Sequence, residues 1–285
     1  MIGKTRQPSF AQIEEVFDPE VSRARGILRR PLSSGKLSHA RRSPPPDLAY
    51  WIAHYWMITW DLRGCAPHMA EALPHPNIHV VFEKDNAVVS GIQTRKFSRL
   101  LEGRSQVFGV KFHPGGFRPF LKSSVSALAD STVPANRIFG KAVNALTRIL
   151  ASARKESEKV AAANAFFGAR LPEPDDTIAL AGQLVARILA EPNIKTVNDL
   201  ATCTGISKRS LQRLFNDYVG ASPKWVIRRY RLHELIEKFD SGAQPHWAQL
   251  ALDLGYFDQA HLINDFKSIV GYTPTQYQSQ LAERS

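Results

Sequence analysis

The sequence predicts an α+β chain in two parts: an N-terminal β-rich domain, cupin-like or barrel-like, followed by an all-α C-terminal domain with two helix-turn-helix units. Three observations carry this. Across residues 48–112 short segments rich in β-branched and aromatic residues are punctuated by Gly, Pro and Asn. After Val133-Pro134 the apolar residues recur instead at three- and four-residue spacing, the period of a helix. The frame F-x3-V-G-x-[S/T]-P occurs twice, from Phe215 to Pro223 and from Phe266 to Pro274, at an offset of 51.

The repeat extends upstream. Leu200-Ala201 and Gly205 have counterparts in Leu250-Ala251 and Gly255 at an offset of 50, so the second copy carries one inserted residue between its glycine and its phenylalanine.

Composition bounds the class. A chain of 285 residues with 44% hydrophobic and 22% charged residues is long enough for two globular domains. There is no apolar run of about eighteen residues and no apolar stretch in the first ten, so a membrane span and a secretory leader are not expected, and the expected location is cytoplasmic. Cys65 and Cys203 fall in different domains, which argues against a disulfide framework, and Cys203 reads as a small buried hydrophobe on a helix. The net charge of +11 points to an anionic partner. Residues 176–285 are nearly balanced, with 12 Lys and Arg against 11 Asp and Glu, yet residues 207–231 concentrate seven cations against Asp217.

Residues 1–47 read as a polar leader with scattered arginines and the Pro44-Pro45-Pro46 run. Residues 48–133 form the β-rich regulatory or sensor domain, with strands expected at 50–60, 78–82, 87–92 and 106–112. Trp51, Tyr55, Trp56 and Trp60 line a ligand pocket or fill a core; with His79, the first three are the candidate pocket residues. Five histidines (54, 68, 75, 79 and 113) raise the question of a metal, but prolines flank His75 and prevent the helical pairing of His75 with His79. No metal site and no cofactor is therefore assigned. No set of nucleophile, base and orienting group can be assembled either, so an enzyme is not expected. The Phe112-His113-Pro114-Gly115-Gly116-Phe117 corner lacks nucleotide-binding spacing.

Residues 134–175 are a helical linker or association region, with helices at 136–152 and 158–167, and residues 176–285 are the double helix-turn-helix domain. Thr196 with Asp199 three residues on is an N-cap pair, Gly205 a turn, and Ser207 the cap of a second helix whose inward face is Leu211, Leu214, Phe215 and Tyr218. Its outward face is then Lys208, Arg209, Gln212, Arg213 and Asn216, the residue types that address phosphates and base edges. Gly220 closes the helix, Ser222-Pro223 opens a long spacer helix over 224–239, and the second copy turns outward Gln259, His261, Asn264 and Lys267. That second face carries Lys267 against Asp253, Asp258 and Asp265, so phosphate affinity is expected mainly from the first unit.

Residues 196–280 resemble the DNA-binding domain of the AraC/XylS family of transcription regulators. The resemblance is carried by L-A-x3-G-I-S-x3-L-Q-R-L-F, by G-x-S-P-x8-L-H and by the closing G-Y-x-D-x2-H-L-x3-F-K-x3-G-x-T-P. It implies seven helices, with two recognition helices joined by one long helix and entering successive major grooves. By motif match the base readers would be Arg209, Gln212 and Arg213, then Gln259, His261 and Asn264. The stretch from Leu73-Pro74 to V-F-G-V-K-F-H-P-G-G-F-R is similar to the sensor region of some members. The expectation is a one-component, sequence-specific regulator of the activator kind that binds double-stranded promoter or operator DNA. RNA polymerase, a small-molecule effector and a second copy of the chain are the other partners left open. The competing expectation is a DNA-tethered, metal-dependent enzyme or binder in the β domain.

Overall fold

The structure is a computed structural model and describes residues 36–240 and 246–282. Two-residue alternation builds its first half. Strands β1 (Leu37–Arg42), β2 (Ile52–Asp61), β4 (His79–Glu83), β5 (Asn86–Ser90), β7 (Arg104–Phe112) and β8 (Thr132–Pro134) form one antiparallel sheet in the order β1-β2-β7-β4-β5-β8. A hairpin-like pair, β3 (His68–Ala72) and β6 (Phe97–Leu101), makes a second small sheet.

Because side chains alternate across a strand, the large sheet has two apolar faces. Tyr55, Met57, Val80, Phe82, Val89, Phe108 and Val110 share one and are buried with residues of the following helices. Trp60 and Val107, with Trp56, Ile58 and Val81 at their margin, share the other and pack against Leu101 and Ala70 of the small sheet. The β-rich first half expected from the sequence is thus a six-stranded sheet covered on both sides. A bulge in β2 between Ile52 and His54 lets Ile52 turn to the helical side while His54 stays on the face of Trp56.

The helical layer is α1 (Asn136–Phe139), α2 (Ala142–Ser152) and α3 (Glu156–Gly168). The single helix expected over 136–152 is broken at Gly140, whose φ of +67° interrupts it. Phe112, Phe117, Phe120, Phe139, Phe166 and Phe167 form an edge-to-face cluster, with ring centroids 4.9 Å apart for Phe112–Phe117 and 5.2 Å for Phe166–Phe167, that fastens the end of β7 to α1 and α3. The association region thus packs on its own β domain.

Two sequence expectations are corrected here. Residues 37–42 lie inside the segment read as a polar leader, yet they pair with β2 from Leu37–Trp60 to Arg42–Tyr55. The segment LSHARR is an edge strand with no buried residue, so it lacks the apolar alternation that betrays an inner strand. The rest of the proposed leader, residues 1–35, lies outside the described residues. Cys203, expected to be buried, is exposed.

Among the described residues seven helices follow: α4 (Asp176–Ala190), α5 (Val197–Thr204), α6 (Lys208–Leu214), α7 (Pro223–Asp240), α8 (Trp247–Asp253), α9 (Gln259–Val270) and α10 (Pro274–Ala282). The long α7 is more than a spacer. Val226, Ile227 and Tyr230 in its first half join the core of the first unit and the β domain, and Leu232, Leu235, Ile236 and Phe239 in its second half join the core of the second unit. One rigid helix is therefore the shared spine of both.

Candidate nucleic-acid interface

The first helix-turn-helix is built from local capping chemistry. Thr196 accepts the Asp199 N–H while Asp199 accepts the Thr196 N–H, a reciprocal box that starts α5. Gly205 ends it in the left-handed conformation at φ +69°. Ser207 then accepts the Ser210 N–H and starts α6. Leu211 and Phe215 are fully buried, which fixes the rotation of α6 and turns Ser207, Lys208, Arg209, Gln212, Arg213 and Asn216 outward, all of them exposed. A π-turn over Phe215–Val219 closes the helix through a bond from Gly220 N–H to the Phe215 carbonyl.

Not every predicted residue is equally available. The Ser207 hydroxyl is spent on the cap, and Asn216 donates to Asp217 at 3.3 Å. Among the described residues the side chains of Lys208, Arg209, Gln212 and Arg213 make no hydrogen bond or ion pair, so α6 presents three cations and an amide to solvent. Of the seven cations counted across 207–231, Arg229 and Arg231 are buried at 2% and 1% exposure and serve the fold. Arg229 donates Nε–H to the Pro74 carbonyl at 2.7 Å, and Arg231 pairs with Glu234 and donates to the Ile188 carbonyl. Arg228 pairs with Asp265 at 3.2 Å. The solvent-facing positive set is thus Lys208, Arg209, Arg213 and Lys224.

The second unit repeats the construction. Asp258 accepts the His261 N–H and starts α9, Leu262 and Phe266 point into the core, and Gln259, Asn264 and Lys267 are exposed. His261 is half-buried: its Nε2 lies 3.2 Å from the Arg228 guanidinium, and its ring packs edge-on to Tyr256 with centroids 5.1 Å apart. Phe257, which sequence reasoning passed over, is 87% exposed just before the cap of α9. The signal was the Tyr256-Phe257 pair, since only one of two adjacent aromatics can enter the core there.

The candidate pocket residues divide between the helix-side core and the opposite face of the sheet. Trp51 and Tyr55 are buried in the core, the other reading left open for them, and the Tyr55 hydroxyl donates to Asn164. Trp56 donates Nε1–H to His79 Nδ1 at 3.0 Å. None of these four lines the cleft of about 920 Å³ that opens between the sheet and the α2–α3 corner, but Trp60, the other aromatic of that stretch, does, together with Phe82, Phe108, Leu150 and Lys159. Among the described residues, His, Cys, Asp and Glu side chains nowhere gather in threes as a metal site requires, and no helix is long and apolar enough to cross a membrane.

A capped helix, glycine turn and second helix with a polar outer face, occurring twice on one spine, defines a double helix-turn-helix DNA-binding domain. Residues 200–280 match the profile of a helix-turn-helix domain, and residues 40–134 match a domain of unknown function (DUF6597). Over 96 residues the chain is 33% identical to the uncharacterized HTH-type transcriptional regulator YbfI of Bacillus subtilis (strain 168). That match spans 34% of this chain and 34% of the relative. Among solved structures the chain is similar to unsaturated fatty acid bound wild-type ToxT from Vibrio cholerae strain SCE256, at 12% identity and a TM-score of 0.33 over 88% of this chain and 97% of that one. It is also similar to ToxT from Vibrio cholerae O395 bound to (E)-4-(8-methylnaphthalen-1-yl)but-3-enoic acid, at 11% identity and a TM-score of 0.29 over 86% and 99%. Neither likeness is close enough to carry residue correspondences.

Proposed function

We propose that the chain is a one-component transcription regulator, in which the helical domain reads a specific promoter or operator and the β domain adjusts that reading in response to a small molecule. The observation that carries the proposal is the solvent-facing row Lys208, Arg209, Gln212 and Arg213 on α6, free of hydrogen bonds and ion pairs among the described residues and mounted on the spine shared with α9. Arginine addresses guanine bidentately and glutamine addresses adenine, so the row suits major-groove readout. Gln259 and Asn264 on α9 refine sequence choice, while the cations of the first unit supply most of the affinity. The working location is the cytoplasm; RNA polymerase and a second copy of the chain are partners for an activator of this design.

Footprinting of the purified chain on DNA upstream of its own and neighbouring genes tests this. Two recognition helices in successive major grooves protect about twenty base pairs. A footprint confined to one groove, or binding with no sequence preference, overturns the two-reader scheme.

A further inference from the structure

Three neighbouring strands set three basic side chains in one lateral row. In the β2-β7-β4 register, Lys111 stands directly opposite His54 on one side and His79 on the other. Residues opposite each other on adjacent strands share a face, and this is the face of Trp56, Gly109 and Val81, turned away from α1–α3. Two features show that the row is built. The bulge after Ile52 keeps His54 on this face. Gly109, next along β7, leaves the space taken by the Trp56 indole, since a Cβ there would lie 1.9 Å from the ring.

The row faces no acidic group. Trp56 donates to His79 Nδ1, which leaves the proton of the neutral ring on Nε2, free to donate. Among the described residues His54 and the Lys111 ammonium have no hydrogen bond or ion pair. Burial holds His54 down to about 2, His79 to about 3 and Lys111 to about 7, and the neighbours that act on them are Arg41, Arg229, His113 and one another, none of them acidic. Glu83, further along the same face of β4, is held by Arg99 at 2.6 Å. None of the three is sealed: each keeps some accessible surface. With neutral imidazoles on both sides and no carboxylate beside it, the Lys111 ammonium is costly here unless something anionic completes it.

We infer that Lys111, His54 and His79 form a binding site for a small anion, a carboxylate or phosphate group, with the Trp56 indole beside it as an apolar wall for the body of the ligand. Arg229 of the spine helix acts on Lys111 and also holds the Pro74 carbonyl, so charge arriving at this site is felt by the element that carries both DNA readers. The inference rests on the proposed function and deepens it by giving the effector a place and a chemical class.

The test is calorimetric titration of the full chain without DNA, using benzoate and inorganic phosphate as probes and benzamide as the neutral control. At least one anion should bind saturably and benzamide should not. Benzoate alone indicates a carboxylate effector with an apolar body, and phosphate alone a phosphate group. Lys111→Met should weaken binding by roughly tenfold to a hundredfold, the worth of a charge-assisted hydrogen bond, and Lys111→Arg should retain most of it. Removing a buried cation should also raise the melting temperature, which separates lost binding from lost folding; His54→Gln gives a second, milder loss. Failure of both anions to bind, or undiminished binding by Lys111→Met, overturns the site and leaves the DNA-reading proposal standing, because no DNA is present.

Discussion

Tyr272, the residue after the glycine that closes α9, donates its hydroxyl to both carboxylate oxygens of Glu71 in the β domain, at 2.9 and 3.0 Å. Lys96 completes the contact, pairing with Glu71 at 2.6 Å, lying 3.8 Å over the Tyr272 ring and donating its backbone N–H to Ile269 at 2.8 Å. The first repeat is gripped at the equivalent place, where Ser124 donates to Asp217 at 2.6 Å and Gly220 sits against Val125. The β domain therefore holds the exit of the second helix of each unit. Glu71 is 5% exposed, so Tyr272→Phe takes a donor from a buried carboxylate and should cost about 1.5 to 3 kcal/mol in urea unfolding. Hydrogen exchange should speed up in α9 and α10 ahead of the sheet; a uniform change across the chain would show that the contact does not act locally.

The turn glycines of the first unit separate backbone strain from contact. Gly205 has φ +69° with nothing within 4 Å of an added Cβ, whereas Gly220 has φ +92° and its Cβ would lie 2.7 Å from Val125 Cγ1. Gly205→Ala should cost only the left-handed penalty, about 1 kcal/mol. Gly220→Ala adds overpacking of about 1 to 3 kcal/mol, because the Val125 backbone is also close. Combining Gly220→Ala with Val125→Ala should recover part of that excess in thermal melts, and equal melting of Gly205→Ala and Gly220→Ala would refute the contact argument.

The readable parts of the molecule were those whose physics is local. The caps Thr196 and Ser207 and the frame around Gly220 and Gly271 lie within a few residues of what they organise, so spacing alone placed the helices. The edge strand of Leu37–Arg42 was missed because a strand half in solvent carries no apolar alternation. Arg229 and Arg231 looked like phosphate grips because charge density in sequence says nothing of burial, and their partners Pro74 and Ile188 lie far away along the chain. The row of His54, Lys111 and His79 is assembled by strand register between segments remote in sequence, and no one-dimensional pattern contains it.

Acid should unfold the β domain early. His54, His79 and His113 are held neutral in the fold at about 2, 3 and 4, against an ordinary value of 6.5. As pH falls below about 6.5 the unfolded chain binds protons that the folded chain refuses, so stability declines towards pH 4, with a slope approaching about 4 kcal/mol per pH unit for three rings. Lys111, depressed to about 7 from 10.5, acts with the same sign higher up: stability rises from about pH 7 towards 10.5 as the unfolded chain alone keeps that proton. Urea midpoints from pH 4.5 to 8 should show a shallower decline for His54→Gln than for the parent chain. Parallel curves would mean that His54 is not held neutral.

The two readers should respond differently to truncation, and salt separates their roles. Arg213 is exposed on α6, and Arg213→Ala should cost about 1 to 3 kcal/mol on the specific site and relax sequence preference at one position. Lys224, an exposed cation at the start of the spine helix, suits a phosphate, so Lys224→Ala should weaken binding evenly across sequences and lower the salt slope by about 1. On α9, Asn264 is exposed and under the proposed scheme faces a base edge, whereas His261 is tied to Arg228 and packed on Tyr256. His261→Ala should then act through the Arg228–Asp265 pair, giving a smaller specificity change than Asn264→Ala but a measurable loss of stability. Gel-shift titrations at several salt concentrations with matched specific and random duplexes resolve these cases. If His261→Ala shifts base preference more than Asn264→Ala does, the histidine reads DNA directly and its contact with Arg228 gives way on binding.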